Sequence, residues 1–571
     1  MRDPRPHRRR LGTVLLALLA SLFLVAVSAC SGIPRSGPVE QGDAIGTDDD
    51  IDVIFLAADP TKGASQQEIL NGFILAAKSP QDDYAIARRY LAPDTADTWR
   101  PNTGTTVDDG PRPTSAINDT TLQMSLNPSG SVDANGTYTQ STSSAPVSLQ
   151  FGFTQIDGEW RINQLEDGIV IEDVFFEQVF SSHALYFYDP TFTYLVPDLR
   201  WFPTSTAVGT RVVKALLNGP SAWLGEGALV TAFPDGTTTP AVVTAGGQTQ
   251  VELSANVLQA DGGDLQRMRY QLNESLKDLA SASTVAISVD QNIVPIPGTD
   301  VVAPDANPRV DARPLVLRDG AFGYLAGDGV SAIDGISDGV EQLQPAEVAY
   351  SATSRTAAVR TVSGAVYAVR AGEGGGSPIV VDQRAGLIAP AVDPFGYVWS
   401  MQAAAPTAVQ ASAPDGTLIP VPTTWDGASG ITSFEISRDG TRAVAFLSVD
   451  GVPKLVVAAV IRSQSGAPER LGEPVEIASG PGAPVDATWV DQFSVASVTN
   501  LASSETRTVE VQRLGGRSSA IGGSPRGAVS IAGGNDLEGL RVLSDDGSLL
   551  QQRGSTWQAT AEGITRLAVQ N

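Results

Sequence analysis

A chain of 571 residues exceeds what one hydrophobic core can organise, and at roughly 100–200 residues per domain it calls for three or four folded units. Its 42% hydrophobic and 18% charged residues supply enough apolar surface to fold, which excludes wholesale disorder. A net charge of -25 repels phosphate backbones and excludes most nucleic-acid partners, while one Cys and two His exclude a disulfide framework, a Cys/His zinc site and most thiol redox chemistry.

The chain opens with Arg2, Arg5, Arg8, Arg9 and Arg10, continues as an uncharged run from Leu11 to Ala29, and then reaches Cys30. A basic segment before an apolar one is the layout of an export signal. The run is also long enough to span a bilayer as an uncleaved anchor, and its end decides between the two. Val27-Ser28-Ala29-Cys30, followed by Ser31-Gly32, resembles a bacterial lipobox, in which cleavage falls between Ala29 and Cys30. Only Cys offers both a thiolate for a diacylglycerol and, once cleaved, an α-amine for a further acyl chain such as palmitate. Residues 1–29 are therefore expected to be a lipoprotein signal peptide. Cys30 is expected to be the S-diacylglycerol, N-acyl cysteine that anchors the protein to the outer face of the cytoplasmic membrane, since two or three acyl chains hold where one does not. Arg8 to Arg10 suit Sec and twin-arginine export equally. Residues 30–50, rich in Gly, Pro, Ser and Asp, read as a flexible tether, and Asp48-Asp49-Asp50 lacks the spacing of a calcium loop.

Residues 51–180 predict an amino-terminal α+β domain. Ile69, Phe73, Ala76 and Ala77 fall on one helical face, Tyr84, Ala87, Tyr90 and Leu91 on a second, and Pro80 separates them. Short β-type runs follow, around 121–126, 137–140, 147–156 and 160–165, punctuated by Asn135-Gly136 and Asp157-Gly158 turns. This order predicts helices packed on one face of an antiparallel meander. The phrase Asp157-Gly158-Glu159-Trp160-Arg161-Ile162 resembles the last hairpin of cone-shaped domains similar to nuclear transport factor 2. It reads equally as Trp160 and Ile162 on the buried face of a strand.

Residues 181–297 predict a second α+β domain. A strand pair spans Asp189-Pro190, Ser205 is placed to cap a helix ending at Gly219-Pro220, and a long helix is expected from about Leu265 to Leu279 before a strand at 284–289. Leu216-Leu217-Asn218-Gly219-Pro220, Pro234-Asp235-Gly236-Thr237 and Val251-Glu252-Leu253-Ser254, in that order, resemble the GerMN domain of sporulation and germination proteins over roughly 110 residues.

From 310 to 571 the helical period vanishes. Asp393-Pro394-Phe395-Gly396-Tyr397-Val398-Trp399 is echoed by Ser437-Arg438-Asp439-Gly440-Thr441-Arg442-Ala443-Val444, about 44 residues on, with weaker echoes at 350–359 and 488–496. An all-β repeat of this length predicts a propeller of about six four-stranded blades, without the signatures of the WD40 subtype.

Little in the chain points to catalysis. Beyond the signal, His183 is the remaining histidine, and no Ser-x-x-Lys, Walker A or His-Glu-x-x-His motif occurs. No catalytic residue, cofactor or metal is expected. Carboxylates are plentiful, however, and a glycosidase needs two, so a glycan-binding or glycan-cleaving propeller is the rival reading. Carboxylates and aromatics at the ring's axial mouth would mark it.

Lipobox, α+β unit, GerMN-like unit and propeller, in that order, resemble the LpqB family of actinobacterial lipoproteins, whose mature amino terminus Cys30-Ser31-Gly32-Ile33-Pro34 and Ser36-Gly37-Pro38-Val39 also look like. The resemblance implies a regulatory binding protein rather than an enzyme. It implies an accessory role in MtrA–MtrB two-component signalling and envelope or division homeostasis, with the extracellular domain of the sensor kinase MtrB as partner. Cys30 is the one functional residue it carries over.

Overall fold

In the computed structural model the described residues are 57–571, apart from 142–144, 206, 246–247, 280–283, 299–300, 373–375 and 502–505. Ala29, Cys30 and the tether lie outside them.

Helix α1 (Gln66–Ala76) starts where the sequence can supply its missing hydrogen bonds. The Ser65 hydroxyl accepts from the Glu68 backbone N–H at 3.3 Å, and the Ser65 N–H donates to the Glu68 carboxylate at 2.8 Å. Its inner face buries Ile69, Leu70, Phe73 and Ile74. Helix α2 (Gln81–Arg88) departs from the predicted regular helix: Asp82, Asp83 and Tyr84 are left-handed, with φ of 50°, 55° and 62°. Each such residue costs about 1–2 kcal/mol in an L-amino-acid chain, so tertiary packing overrides the local preference here. Helix α3 (Pro93–Thr98) leads to eight strands, β1 (Gly104–Asp108), β2 (Thr114–Asn118), β3 (Thr121–Leu126), β4 (Pro128–Asp133), β5 (Tyr138–Gln140), β6 (Val147–Ile156), β7 (Glu159–Gln164) and β8 (Ile169–Glu172).

These strands form two sheets, β5-β4-β1-β8 and β2-β3-β6-β7, where a single meander was expected. The chain changes sheet at Gly110-Pro111-Arg112-Pro113 and at Asn127-Pro128. Proline has no N–H to continue a ladder, so these are natural exit points. The Asp157-Gly158 turn joins β6 to β7 with both residues at positive φ, 53° and 81°, as a two-residue hairpin requires. Ile162 is fully buried and Trp160 packs partly exposed against the same core.

Helix α4 (Asp173–Val179) runs directly into β9 (Phe180–Tyr188), which pairs along its whole length with β10 (Leu195–Pro203). Helix α5 (Val208–Leu217) ends as expected, with Gly219 at φ 95°. Its start differs, because Ala207 occupies the cap position and Ser205 contributes a backbone carbonyl to the Val208 N–H, not a side-chain cap. Strands β11 (Val242–Ala245) and β12 (Gln248–Glu252), helix α6 (Gly262–Leu276), and strands β13 (Thr284–Val289) and β14 (Asn292–Ile293) complete this domain as a sheet in the order β11-β12-β13-β14. Strands β12 and β13 are parallel, connected through α6. The helix begins three residues before the expected Leu265 because Asp261 caps it, accepting from the Asp264 N–H at 2.9 Å. Leu185, Phe187, Val212, Leu216, Met268, Leu272 and Ile287 form the core.

The remaining strands make six blades, as the repeat length predicted. Blade 1 is composite: Leu315–Arg318, Ala321–Ala326 and Gly329–Ser331 are completed by Ile564–Gln570, which also touches the innermost strand of blade 2 through Ala349 and Tyr350. The four echoed lines occupy one structural place, the hairpin between first and second strands of blades 2, 3, 4 and 5.

Candidate functional site

The propeller axis is where the rival glycan reading would place its chemistry. Three carboxylates do gather there, Glu347, Glu435 and Asp486, from the innermost strands of blades 2, 4 and 5. Each is already engaged. Glu347 pairs with Arg360 across its hairpin, Glu435 accepts the Trp489 N–H at 3.1 Å, and Asp486 accepts the Ala487 and Ile531 N–H groups at 2.9 and 3.0 Å. Measured by where a water centre can lie, the space between them is about 60 Å³. A water needs roughly 10–15 Å³ by that measure, so the axis holds a few waters and has no room for a sugar ring. Phe434 is the one aromatic in this lining.

Burial pushes the Glu435 carboxyl up to about 8, with the Asp486 charge adding to it, and burial pushes Asp486 up to about 7. A carboxyl that holds its proton more tightly folded than unfolded stabilises the fold most at low pH, and that contribution is lost as pH rises from the unfolded value of about 4.3 toward 8. The melting temperature of the wild type is therefore expected to fall between pH 6 and 8, and Glu435→Gln to flatten that slope. Coincident slopes by scanning calorimetry would show that Glu435 does not titrate this way.

His183, the predicted lone histidine, lies on β9 opposite Arg200. It is buried, its ring is 6.2 Å from that of Phe202, and its Nε2 has no hydrogen-bond partner. Burial lowers its pKa, partly countered by Asp278. Its contribution has the opposite sign to that of Glu435: present above the unfolded value of about 6.5 and lost as pH falls below it. Among the described residues no group of three or more His, Cys, Asp or Glu is placed to hold a metal.

The denser concentration of specific contacts is where the three domains meet. The indole of Trp201 on β10 donates to the Gly515 carbonyl of blade 5 at 2.8 Å, and Gln140 on β5 makes paired hydrogen bonds with Ser518 at 3.1 Å. Arg517 forms ion pairs with Asp173 and Glu177 on α4. The Asn135-Gly136 turn, read from sequence as simple punctuation, docks against β10: Trp201 N–H donates to the Gly136 carbonyl at 2.7 Å and Arg200 donates to that of Asn135 at 3.0 Å. A Cβ on Gly136 would stand 2.8 Å from the Trp201 carbonyl oxygen, so only glycine fits.

Two aromatics cross between the second domain and the propeller. Trp223 packs against both cores, and Phe395, from the blade 3 hairpin, meets Tyr194 edge-on at 6.0 Å. Behind Phe395, Arg462 and Asp393 form a wholly buried ion pair at 2.6 Å, with Arg462 also donating to the Gly440 and Gly466 carbonyls at 2.7 and 2.8 Å. A cavity of about 120 Å³ remains at the junction. Ser221, Arg442, Gln492 and Gln512 line it, and each carries a polar atom with no protein partner, so its lining is suited to hydration. Sequence reasoning missed this junction. The one available signal was the placement of Trp223 in a Gly/Pro-rich loop, where no core is expected.

Three family models match the chain in succession: the lipoprotein LpqB amino-terminal domain over 59–177, the sporulation and spore germination (Germane) domain over 184–294, and the lipoprotein LpqB β-propeller domain over 320–567. The chain belongs to the LpqB lipoprotein family. Lipoprotein LpqB of Cutibacterium acnes is 31% identical over 299 residues, covering 51% of this chain and 48% of the relative. That of Thermobifida fusca is 27% identical over 309 residues, covering 50% and 48%. The chain thus spans about half the length of the LpqB relatives it matches. Among solved structures, the first GerMN domain of the sporulation protein GerM from Bacillus subtilis is similar at 18% identity, covering 22% of this chain and 97% of that domain, with a TM-score of 0.18. No helix among the described residues of this LpqB-family chain is long and apolar enough to cross a membrane.

Proposed function

We propose that this protein is a lipid-anchored extracytoplasmic binding protein that docks on the extracellular domain of a two-component sensor kinase of the MtrB type and biases its signalling state. Cys30 supplies the anchor in this reading. The observation that favours it is the union of three domains into one body through buried aromatics, ion pairs and close backbone contacts, while the propeller axis is left without room for a substrate. Such a body presents fixed surfaces, as a docking protein needs. Tethering raises its effective concentration against a membrane-bound receptor, so modest intrinsic affinity suffices. Shifting the kinase requires different affinities for its two states.

The test is calorimetry of the soluble chain from Ser31 to Asn571 against the purified kinase ectodomain, paired with autophosphorylation of full-length kinase in vesicles. Saturable binding at low micromolar affinity or better, with a change in phosphorylation, is the expected result. Absence of binding at high micromolar concentration would remove direct docking and return attention to cell-wall glycans.

A further inference from the structure

The largest of the cavities described here, about 250 Å³, lies between the amino-terminal domain and the GerMN-like domain and has no part in the reading above. Tyr84 forms one wall. Its side chain is wholly buried and its hydroxyl has no hydrogen-bond partner, a costly arrangement for a group that can both donate and accept. The left-handed run Asp82-Asp83-Tyr84 is what places it there, and three strained residues in a row mark a conformation imposed by the surroundings.

The opposite wall is α5, which contributes Arg211 and, one turn on, Lys214. Neither has an ion-pair partner among the described residues, in a chain with 63 acidic and only 38 basic side chains. Arg211 donates to the Asn102 amide oxygen at 2.7 Å. The carboxylate of the lining, Asp133, is occupied by the N–H groups of Asn135 and Thr137, both at 2.8 Å, and neighbouring Asp83 is held by Arg88. Burial pushes the Tyr84 phenol above its usual range and the Arg211 charge draws it back, so the guanidinium field reaches that hydroxyl.

We infer that this cavity binds a small organic phosphate bearing hydroxyl groups, its phosphoryl oxygens taken by Arg211 and Lys214 and by the Tyr84 hydroxyl as donor. Two cations one helical turn apart beside a hydroxyl donor suit a group with several oxygens and up to two charges. By the water-centre measure the space corresponds to about twenty waters, enough for a polyol phosphate.

The probe is glycerol 3-phosphate, titrated by calorimetry into the soluble chain from Ser31 to Asn571, with glycerol as the uncharged control. One-to-one binding in the submillimolar range is expected, absent with glycerol. Arg211→Gln and Lys214→Gln are each expected to weaken it about tenfold. Lys214 is exposed, so its substitution leaves the fold intact. Tyr84→Phe separates a binding role from a structural one: removing an unpaired buried hydroxyl should leave melting temperature unchanged or higher, while affinity falls severalfold. Competition by phosphatidylglycerol vesicles would assign the phosphate to a lipid headgroup, and lack of competition to a soluble phosphate. No saturable binding up to about 10 mM, or equal binding by the Arg211→Gln/Lys214→Gln double variant, overturns the inference.

Discussion

Asp393→Ala is expected to lower the unfolding free energy of the propeller by about 3–5 kcal/mol, which is enough to unfold many single domains. The reason lies in how many groups converge on one carboxylate. Asp393 accepts the Phe395 and Tyr397 N–H groups at 3.0 and 2.9 Å, the Trp399 indole at 2.9 Å and Arg462 at 2.6 Å. Truncation orphans all four donors and leaves the Arg462 charge buried without its counterion, its cation–π contact with Phe395 at 4.8 Å notwithstanding. Asp393→Asn retains acceptors for the two backbone donors and should lose less. Urea unfolding followed by tryptophan fluorescence measures both, and a loss below about 1 kcal/mol for the alanine variant would mean that water reaches Arg462.

The second large effect is expected at Trp223. Replacing a fully buried tryptophan by alanine costs about 3–5 kcal/mol; Trp223 is half-buried, so about 2–3 kcal/mol is expected, and the loss falls on two cores at once. In Trp223→Ala the GerMN-like domain and the propeller should lose their mutual support, so that one calorimetric transition resolves into two. Trp223 and Phe395 both pack in the GerMN-like core, so the double variant Trp223→Ala/Phe395→Ala should fall short of the sum of the single losses. Additive losses and an unsplit transition would show that these two domains are held chiefly by other contacts, such as the Glu226–Arg470 ion pair.

The blades were legible in the sequence because blades 3 and 4 repeat the same hairpin chemistry at the same place, an acidic residue followed by Gly at positive φ, at Asp393/Gly396 and Asp439/Gly440, with weaker echoes in blades 2 and 5. The βαβ passage through α6 was legible for a similar reason, its apolar residues keeping one period over fifteen residues. What escaped was non-local. Leu126 and Ser129 are three residues apart but belong to different sheets, and only their distant partners on β6 and β1 decide that. The left-handed entry to α2 escaped because its residues carry a helical pattern that the packing overrules. The junction escaped because Trp223 lies in a loop and Phe395 in a blade hairpin, and nothing local says which core either one packs against. His183 lies inside β9, as its fourth residue, rather than opening a strand; its burial depends on Phe202, nineteen residues away along the chain.

The ring is fastened by its last strand. Ile564–Gln570 follows the other propeller strands in the chain, so during synthesis blade 1 waits with three of its strands, and the gap beside blade 2 exposes unpaired backbone on both sides. Blades 2 to 6 can form in order as they emerge, but the seam between blades 1 and 2 stays open until those seven residues arrive. The propeller therefore has a latch that closes only once Ile564–Gln570 has been made, and a product cut short before this strand is open to proteases and to edge-pairing with its own copies.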